Sequence, residues 1–208
     1  MDYRGLKSNS VFIEAGSFDD FGGWVLDTQF VEAMGSAFLL AHGLGKPVRD
    51  AVKRVTFPAE GTYRAFALTR DWVAPWKRGA APGLFEIRVG DKKLGRVFGN
   101  EGAEWRWQFG GPIDINSRET VVALNDLTGF EGRVAALFFT MDENFSPPYE
   151  KAELENFRRQ LTGNENERDL GDFDIVIAGG GISGICAALS SARGGLKTAL
   201  VQDRPVVG

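Results

Sequence analysis

The chain has 208 residues, is 43% hydrophobic and 25% charged, and carries a formal net charge of −4 with a pI near 5.2. Lys and Arg are scattered, so no basic face suited to nucleic acid is expected; a single Cys (Cys186) excludes an intramolecular disulfide, and one His beside one Cys excludes most zinc sites. No run approaches the roughly 18 apolar residues of a membrane span, and the start Met1-Asp2-Tyr3-Arg4-Gly5-Leu6-Lys7 lacks the apolar centre of a signal peptide, which leaves the cytoplasm as the default expectation.

Residues 8–142 show short apolar or alternating runs separated by turn signals about every ten residues, the pattern of an antiparallel β-sandwich. The predicted strands are Val11–Ala15, Trp24–Asp27, Ala51–Phe57, Gly61–Thr69, Gly83–Val89, Lys92–Phe98, Trp105–Phe109, Glu119–Asp126 and Arg133–Thr140. Alternation is clearest from Gly61 to Thr69, where Tyr63 and its same-parity neighbours share a face. Gly90-Asp91 supplies the positive φ angles of a tight hairpin. Glycine is 27 of 208 residues, above the usual share of about 7%, as a turn-rich β domain requires.

Within this region Trp72 and Trp76 lie four apart in a Pro-containing loop beside Arg70 and Asp71, and Trp105 and Trp107, two apart, share one face of a strand. Two readings stand: the rings cap the core or pack against another domain, or they form a ligand platform on which a sugar ring stacks. His42 reads as a loop or core histidine, and the Asp126/Glu131 carboxylates have no further support for hydrolytic chemistry.

Ser146-Pro147-Pro148 ends the sandwich. Residues 143–171 read as a linker, with a charged helix over 149–161 that Gly163 terminates, then a polar stretch, 162–171, expected to be solvated and mobile.

The last segment, 172–208, is the most specific. A buried strand, Ile175–Ala178, delivers the chain to Gly179-Gly180-Gly181-Ile182-Ser183-Gly184, an Ala-rich helix runs from Ile182 to Arg193, Gly194-Gly195 stops it, and a second strand spans Thr198–Val201. This is a G-x-G-x-x-G loop in its proper setting: Gly179 for the tight turn, Gly181 for close approach of a pyrophosphate, Gly184 for close helix–strand packing, with the phosphates at a helix N-terminus. The residue after the second strand usually carries a carboxylate for the ribose; here it is Gln202, followed by Asp203 and Arg204. One βαβ unit supplies only the mouth of a doubly wound sheet, so the remaining strands of that sheet are expected as an intramolecular partner, without which this chain has no activity of its own. Cys186, on the apolar side of the helix, reads as a small core residue.

The stretch Asp174–Gly208, ending Gln202-Asp203-Arg204-Pro205-Val206-Val207-Gly208, resembles the N-terminal FAD-binding unit of FAD-dependent oxidoreductases related to glutathione reductase. The resemblance implies FAD as cofactor, bound through Gly179, Gly180, Gly181, Ile182, Ser183 and Gly184, with Gln202, Asp203 or Arg204 toward the adenosine. It departs from the family pattern at Gln202, where an acid is typical, and an NAD(P)-binding oxidoreductase stays open.

Phe12-Ile13-Glu14-Ala15, Ala59-Glu60-Gly61-Thr62-Tyr63 and Phe85-Glu86-Ile87-Arg88-Val89-Gly90 resemble galactose-binding-like jelly rolls used as carbohydrate-binding modules. The blocks Thr69–Trp76, Gly102–Trp107 and Asn125–Gly132 look like segments preceding the flavin domain in bacterial FAD-dependent oxidoreductases with an N-terminal sandwich. By this likeness Glu14 and Asp142 become candidates for a structural calcium ion. The combined expectation is an all-β jelly-roll sandwich, a helical linker and the first βαβ unit of a Rossmann-like α/β fold, belonging to a longer FAD-dependent oxidoreductase with a small-molecule or carbohydrate substrate. The alternative is a carbohydrate-binding module with an incidental tail.

Overall fold

The computed structural model describes residues 1–77, 79–163, 170–202 and 207. Its elements are β1 (Ser10–Glu14), β2 (Val25–Asp27), α1 (Val31–Met34), β3 (Phe38–His42), β4 (Ala51–Thr56), β5 (Gly61–Thr69), β6 (Phe85–Val89), β7 (Lys92–Lys93), β8 (Arg106–Ile115), β9 (Glu119–Asp126), β10 (Phe130–Thr140), α2 (Lys151–Arg158), β11 (Ile175–Ala178), α3 (Ile182–Arg193) and β12 (Thr198–Val201). Contacts divide the chain into two units, Met1–Asn164 and Glu165–Gly208.

The first unit is a mostly-β sandwich. One sheet has the order β2-β3-β10-β5-β8, with β1 also paired to β10; the other is β4-β9-β6-β7. Strand β10 is the spine of the larger sheet. Ser10–Glu14 pairs with Thr140–Ala136 and Leu39–His42 with Val134–Phe130, end to end on one side, while β5 pairs along the other.

Between the sheets lies a core that includes Ile13, Leu39, Val55, Phe57, Tyr63, Phe85, Ile87, Phe98, Val122, Leu124, Leu137 and Phe139. Strand alternation turns Phe66, Leu68, Ala136 and Phe138 to the opposite face of the larger sheet, and there a second apolar cluster forms with Tyr3, Phe38, Leu154 and Phe157. This double burial explains why β10 reads Val-Ala-Ala-Leu-Phe-Phe rather than alternating: both of its faces are covered.

Three features differ from the sequence expectation. Strand β3, absent from the sequence expectation, carries Phe38-Leu39-Leu40-Ala41, an apolar run before His42 without the alternation that marks a half-buried strand. The strand expected over Lys92–Phe98 is only Lys92–Lys93, continued by an isolated bridge between Phe85 and Phe98. The strand expected to end at Phe109 continues to Ile115 through Gly110-Gly111-Pro112, with an irregularity opposite Ala65/Phe66. A Cβ at Gly110 would lie 2.7 Å from the Phe98 ring, so the missing side chain lets the two meet.

Strand β8 is an edge of the larger sheet and carries Pro112, which an edge strand tolerates because its N–H side needs no partner. Arg96 Nη1 donates to the Phe109 carbonyl at 3.0 Å and Lys92 Nζ to the Asp114 carbonyl at 2.9 Å.

Helix α2, expected as part of a linker, packs on the sandwich. Its Leu154 and Phe157 are buried, and Phe157 meets Tyr3, Phe12, Phe138 and Phe145 with ring centroids 4.9–5.7 Å apart. The N-terminus closes over the same helix: Tyr3 Oη donates to Glu153 at 2.6 Å and Gln160 Nε2 to the Met1 carbonyl at 3.1 Å. After Arg158 one turn widens to a π-helix, Arg159–Gly163. The expected mobile stretch falls largely on residues 164–169, outside the described residues.

The second unit is a parallel pair, β11 and β12, joined by α3; Ile175–Ala178 runs in register with Thr198–Val201. It has little interior of its own. No residue of α3 is buried, and Val176, Ile182, Leu189 and Val201 are exposed.

Candidate functional site

The glycine loop sits between β11 and α3. Gly179 adopts φ +101°, a left-handed value that favours glycine, and its N–H donates to the Val201 carbonyl at 2.8 Å, tying the turn to the neighbouring strand. Gly181 is the N-cap of α3, so unpaired N–H groups of the first turn face outward from the loop. The two flanking glycines do different work. A Cβ at Gly184 would stand 1.8 Å from the Gly179 carbonyl oxygen, whereas a Cβ at Gly181 meets nothing within 4 Å. Gly184 is therefore required for the helix to approach the strand, and Gly181 leaves open space beside the helix N-terminus. Ile182 and Ser183 form the exposed first turn.

The parallel register brings Gln202 from the end of β12 to the loop. Its Oε1 accepts the Gly180 N–H at 2.8 Å, and a Cβ at Gly180 would lie 3.0 Å from the Gln202 amide carbon. Asp203 and Arg204 lie outside the described residues. Cys186, expected as a small core residue, is exposed because the unit supplies nothing to cover that side of α3.

In the sandwich, Trp72 and Trp76 pair edge-to-face with centroids 6.2 Å apart. Trp76 is 77% exposed, while the Trp72 Nε1 donates to the Phe130 carbonyl at 3.0 Å. Trp105 and Trp107 differ: Trp105 packs on Phe30 and Phe38 at 5.9 and 5.2 Å, and Trp107 packs on Phe12 and Phe138 with its Nε1 donating to the Pro148 carbonyl. These two rings are fillers of the outer cluster rather than a platform, because the α2 side of the sheet is already covered.

His42, at the end of β3, has Nδ1 3.0 Å from Glu131, whose other oxygen pairs with Arg133 at 3.1 Å. Glu131 itself takes φ +62° at the irregularity of β10. Asp126 is buried and accepts the N–H groups of Val48, Thr128 and Gly129, which commits it to holding the loops.

The calcium candidates are separated. Glu14 is opposite Ala136 in the β1–β10 ladder and Asp142 lies beyond the other end, roughly 20 Å away at about 3.3 Å per residue. Glu14 is occupied by Arg158, 2.8 Å away, and Asp142 accepts the Asn144 N–H. Among the described residues no group of three His, Cys, Asp or Glu side chains is placed to hold a metal.

Comparison with known proteins gives matches of two kinds. The FAD dependent oxidoreductase family model matches residues 174–208. No curated protein matches the sequence. Among solved structures, a GH26-CBM35 β-(1,4)-mannanase of Podospora anserina superposes with TM-score 0.50 at 12% identity, over 67% of this chain and 29% of that one. A family 35 carbohydrate binding module of Clostridium thermocellum (TM-score 0.48, 17% identity, 62% and 96% covered) and the C-terminal CBM6 of a laminarinase of Zobellia galactanivorans (0.44, 13%, 64% and 99%) are also similar. The first unit is thus a mostly-β sandwich resembling the jelly rolls of carbohydrate-binding modules; at these identities the likeness is one of fold.

Proposed function

We propose that residues 172–208 are the dinucleotide-binding corner of an FAD-dependent oxidoreductase whose N-terminal module is the sandwich. The observation that carries this is the asymmetry of the glycines: Gly184 is locked against Gly179, while Gly181 borders open space at the N-cap of α3. A pyrophosphate fits there, since the helix N-terminus offers N–H donors and a positive dipole end. Gly179, Gly180, Gly181, Ile182, Ser183 and Gly184 would hold it, with Gln202 beside the loop toward the adenosine ribose. FAD, when bound, supplies electron and hydride transfer; this unit's residues bind and orient it. The uncovered apolar side chains Val176, Ile182, Leu189 and Val201 support a sheet that needs further strands to cover it before a flavin could be held.

The test uses the natural gene product that carries this segment. Flavin should co-purify with it, and Gly181→Val should cut flavin content at least about tenfold by filling the phosphate space. Unchanged flavin content in that variant overturns the assignment.

The exposed Trp76 ring, with Trp72 behind it, favours a second reading in which the sandwich binds carbohydrate. Retardation of the 208-residue chain in polysaccharide affinity gels, lost in Trp76→Ala, would support it; unretarded migration in every gel would remove it.

A further inference from the structure

The loop between β11 and α3 carries one glycine more than its motif requires. Gly179, Gly181 and Gly184 hold the positions at which a side chain would disturb the turn, the phosphate space and the helix packing, while the residue between the first two is unrestricted. Here it is Gly180. Gly180 is also the one buried residue among the described residues of the second unit, although Gly179, Gly181 and Ile182 around it are exposed.

Two neighbours cover it. A Cβ at Gly180 would lie 3.0 Å from the Gln202 amide carbon, 3.1 Å from the Gln202 Cβ and 3.0 Å from a Val207 methyl carbon. The space of the missing side chain is thus taken chiefly by Gln202. Its Oε1 accepts the Gly180 N–H at 2.8 Å, one residue beyond the point where the Gly179 N–H donates to the Val201 carbonyl at 2.8 Å. Successive amides of the loop are therefore tied to successive residues at the end of β12, the first through backbone and the second through a side chain. Without that side chain a buried donor would be left unmade.

A carboxylate is usual after the second strand because it meets the ribose hydroxyls. Gln202 points its carbonyl oxygen into the turn instead. We propose that Gln202 is a positioning residue of the glycine loop. By holding Gly180 from the side it sets the turn that presents Gly181 and the N-terminus of α3 before any ligand arrives, and it serves a dinucleotide diphosphate through the loop rather than through the ribose. The ligand half of this inference rests on the dinucleotide reading above. A turn that is already set removes part of the ordering cost of binding, and a unit with so little interior has few other means of setting it.

The loop role is tested on the ligand-free 208-residue chain by amide hydrogen exchange. In Gln202→Leu, which keeps bulk and removes the acceptor, the Gly180 amide should exchange at least about fivefold faster, while Gly179, bonded to the Val201 backbone, keeps its rate. Gln202→Glu supplies an oxygen in the same place and should keep both rates. The ligand role is tested by titrating the natural gene product, stripped of flavin, with FAD: Kd should rise at least about fivefold in Gln202→Leu and return toward the wild-type value in Gln202→Glu. Unchanged Gly180 exchange in Gln202→Leu overturns the proposal, and combined with a loss of FAD affinity it would mark a direct ribose contact. Faster Gly180 exchange with unchanged FAD affinity overturns it as well. The dinucleotide reading fails separately, if Gly181→Val leaves FAD affinity unchanged. Should Gln202→Leu not fold, the wild-type chain decides alone: a Gly180 amide exchanging as fast as that of Ser183 in the exposed first turn of α3 overturns the proposal.

Discussion

Glu14 on β1 and Arg158 on α2 form an ion pair 2.8 Å apart in a largely buried setting, with side-chain exposures of 23% and 8%, and Arg158 Nη1 also donates to the Met34 carbonyl. Burial pushes the Glu14 carboxyl above its ordinary range and the Arg158 guanidinium below its own, each opposed by the partner's charge. The pair therefore fixes where the helix docks more than it adds net stability.

A double-mutant cycle follows from this. Glu14→Gln and Arg158→Met singly should each destabilise the sandwich by about 3 kcal/mol, since each leaves one buried charge unmatched, and the double variant should recover much of the loss. Chemical denaturation measures it; additive losses would show that the two residues do not act as a pair.

Phe157 is the centre of the outer cluster. Phe157→Ala should cost about 3–5 kcal/mol, the usual range for a buried aromatic. Truncation after residue 145 removes Leu154 and Phe157 together, so it should lower the melting temperature sharply and expose apolar surface to hydrophobic dyes. A truncated chain with an undiminished melting temperature would mean that α2 is dispensable.

Alkaline pH should loosen the N-terminal segment. Desolvation first, and the hydrogen bond to Glu153 second, push the Tyr3 phenol up to about 12. With a raised folded pKa, the contribution is complete below the unfolded value of about 10 and is lost as pH rises from there through 12. Tyr3→Phe should flatten stability between those limits, as seen by urea titrations at several pH values; an unchanged slope would remove Tyr3 as the cause.

The glycine loop offers a contrast that needs no ligand. Gly184→Ala places a methyl group 1.8 Å from the Gly179 oxygen and should shift the amide resonances of residues 175–201. Gly181→Val has open space and an ordinary φ of −68°, so the same resonances should move little beyond its neighbours. Equal perturbation by both would contradict the packing described for the loop.

Parts of this architecture are legible in the sequence where one physical rule acts alone. Gly61–Thr69 and Glu119–Asp126 have the expected limits because turn residues bound each run, and β11, α3 and β12 fall at Ile175–Ala178, Ile182–Arg193 and Thr198–Val201 because glycines punctuate them. Strand β3 is hidden because burial on both faces erases alternation. The docking of α2 has a faint signal, Leu154 and Phe157 three apart among charges, which fixes an apolar stripe but not its partner. The placing of Arg70 and Arg133 over the same Phe30 ring depends on the register of β5 against β10, which local pattern does not encode.

The two cations at the β8 edge bear on how the protein keeps to itself. Arg96 and Lys92 occupy carbonyls that a foreign strand would have to capture, and Pro112 interrupts the row of donors. A second chain laying itself along this border would have to evict two solvated charges for each short stretch of ladder gained. Sheet-to-sheet polymerisation is thereby discouraged at that margin even when the domain is crowded at high concentration.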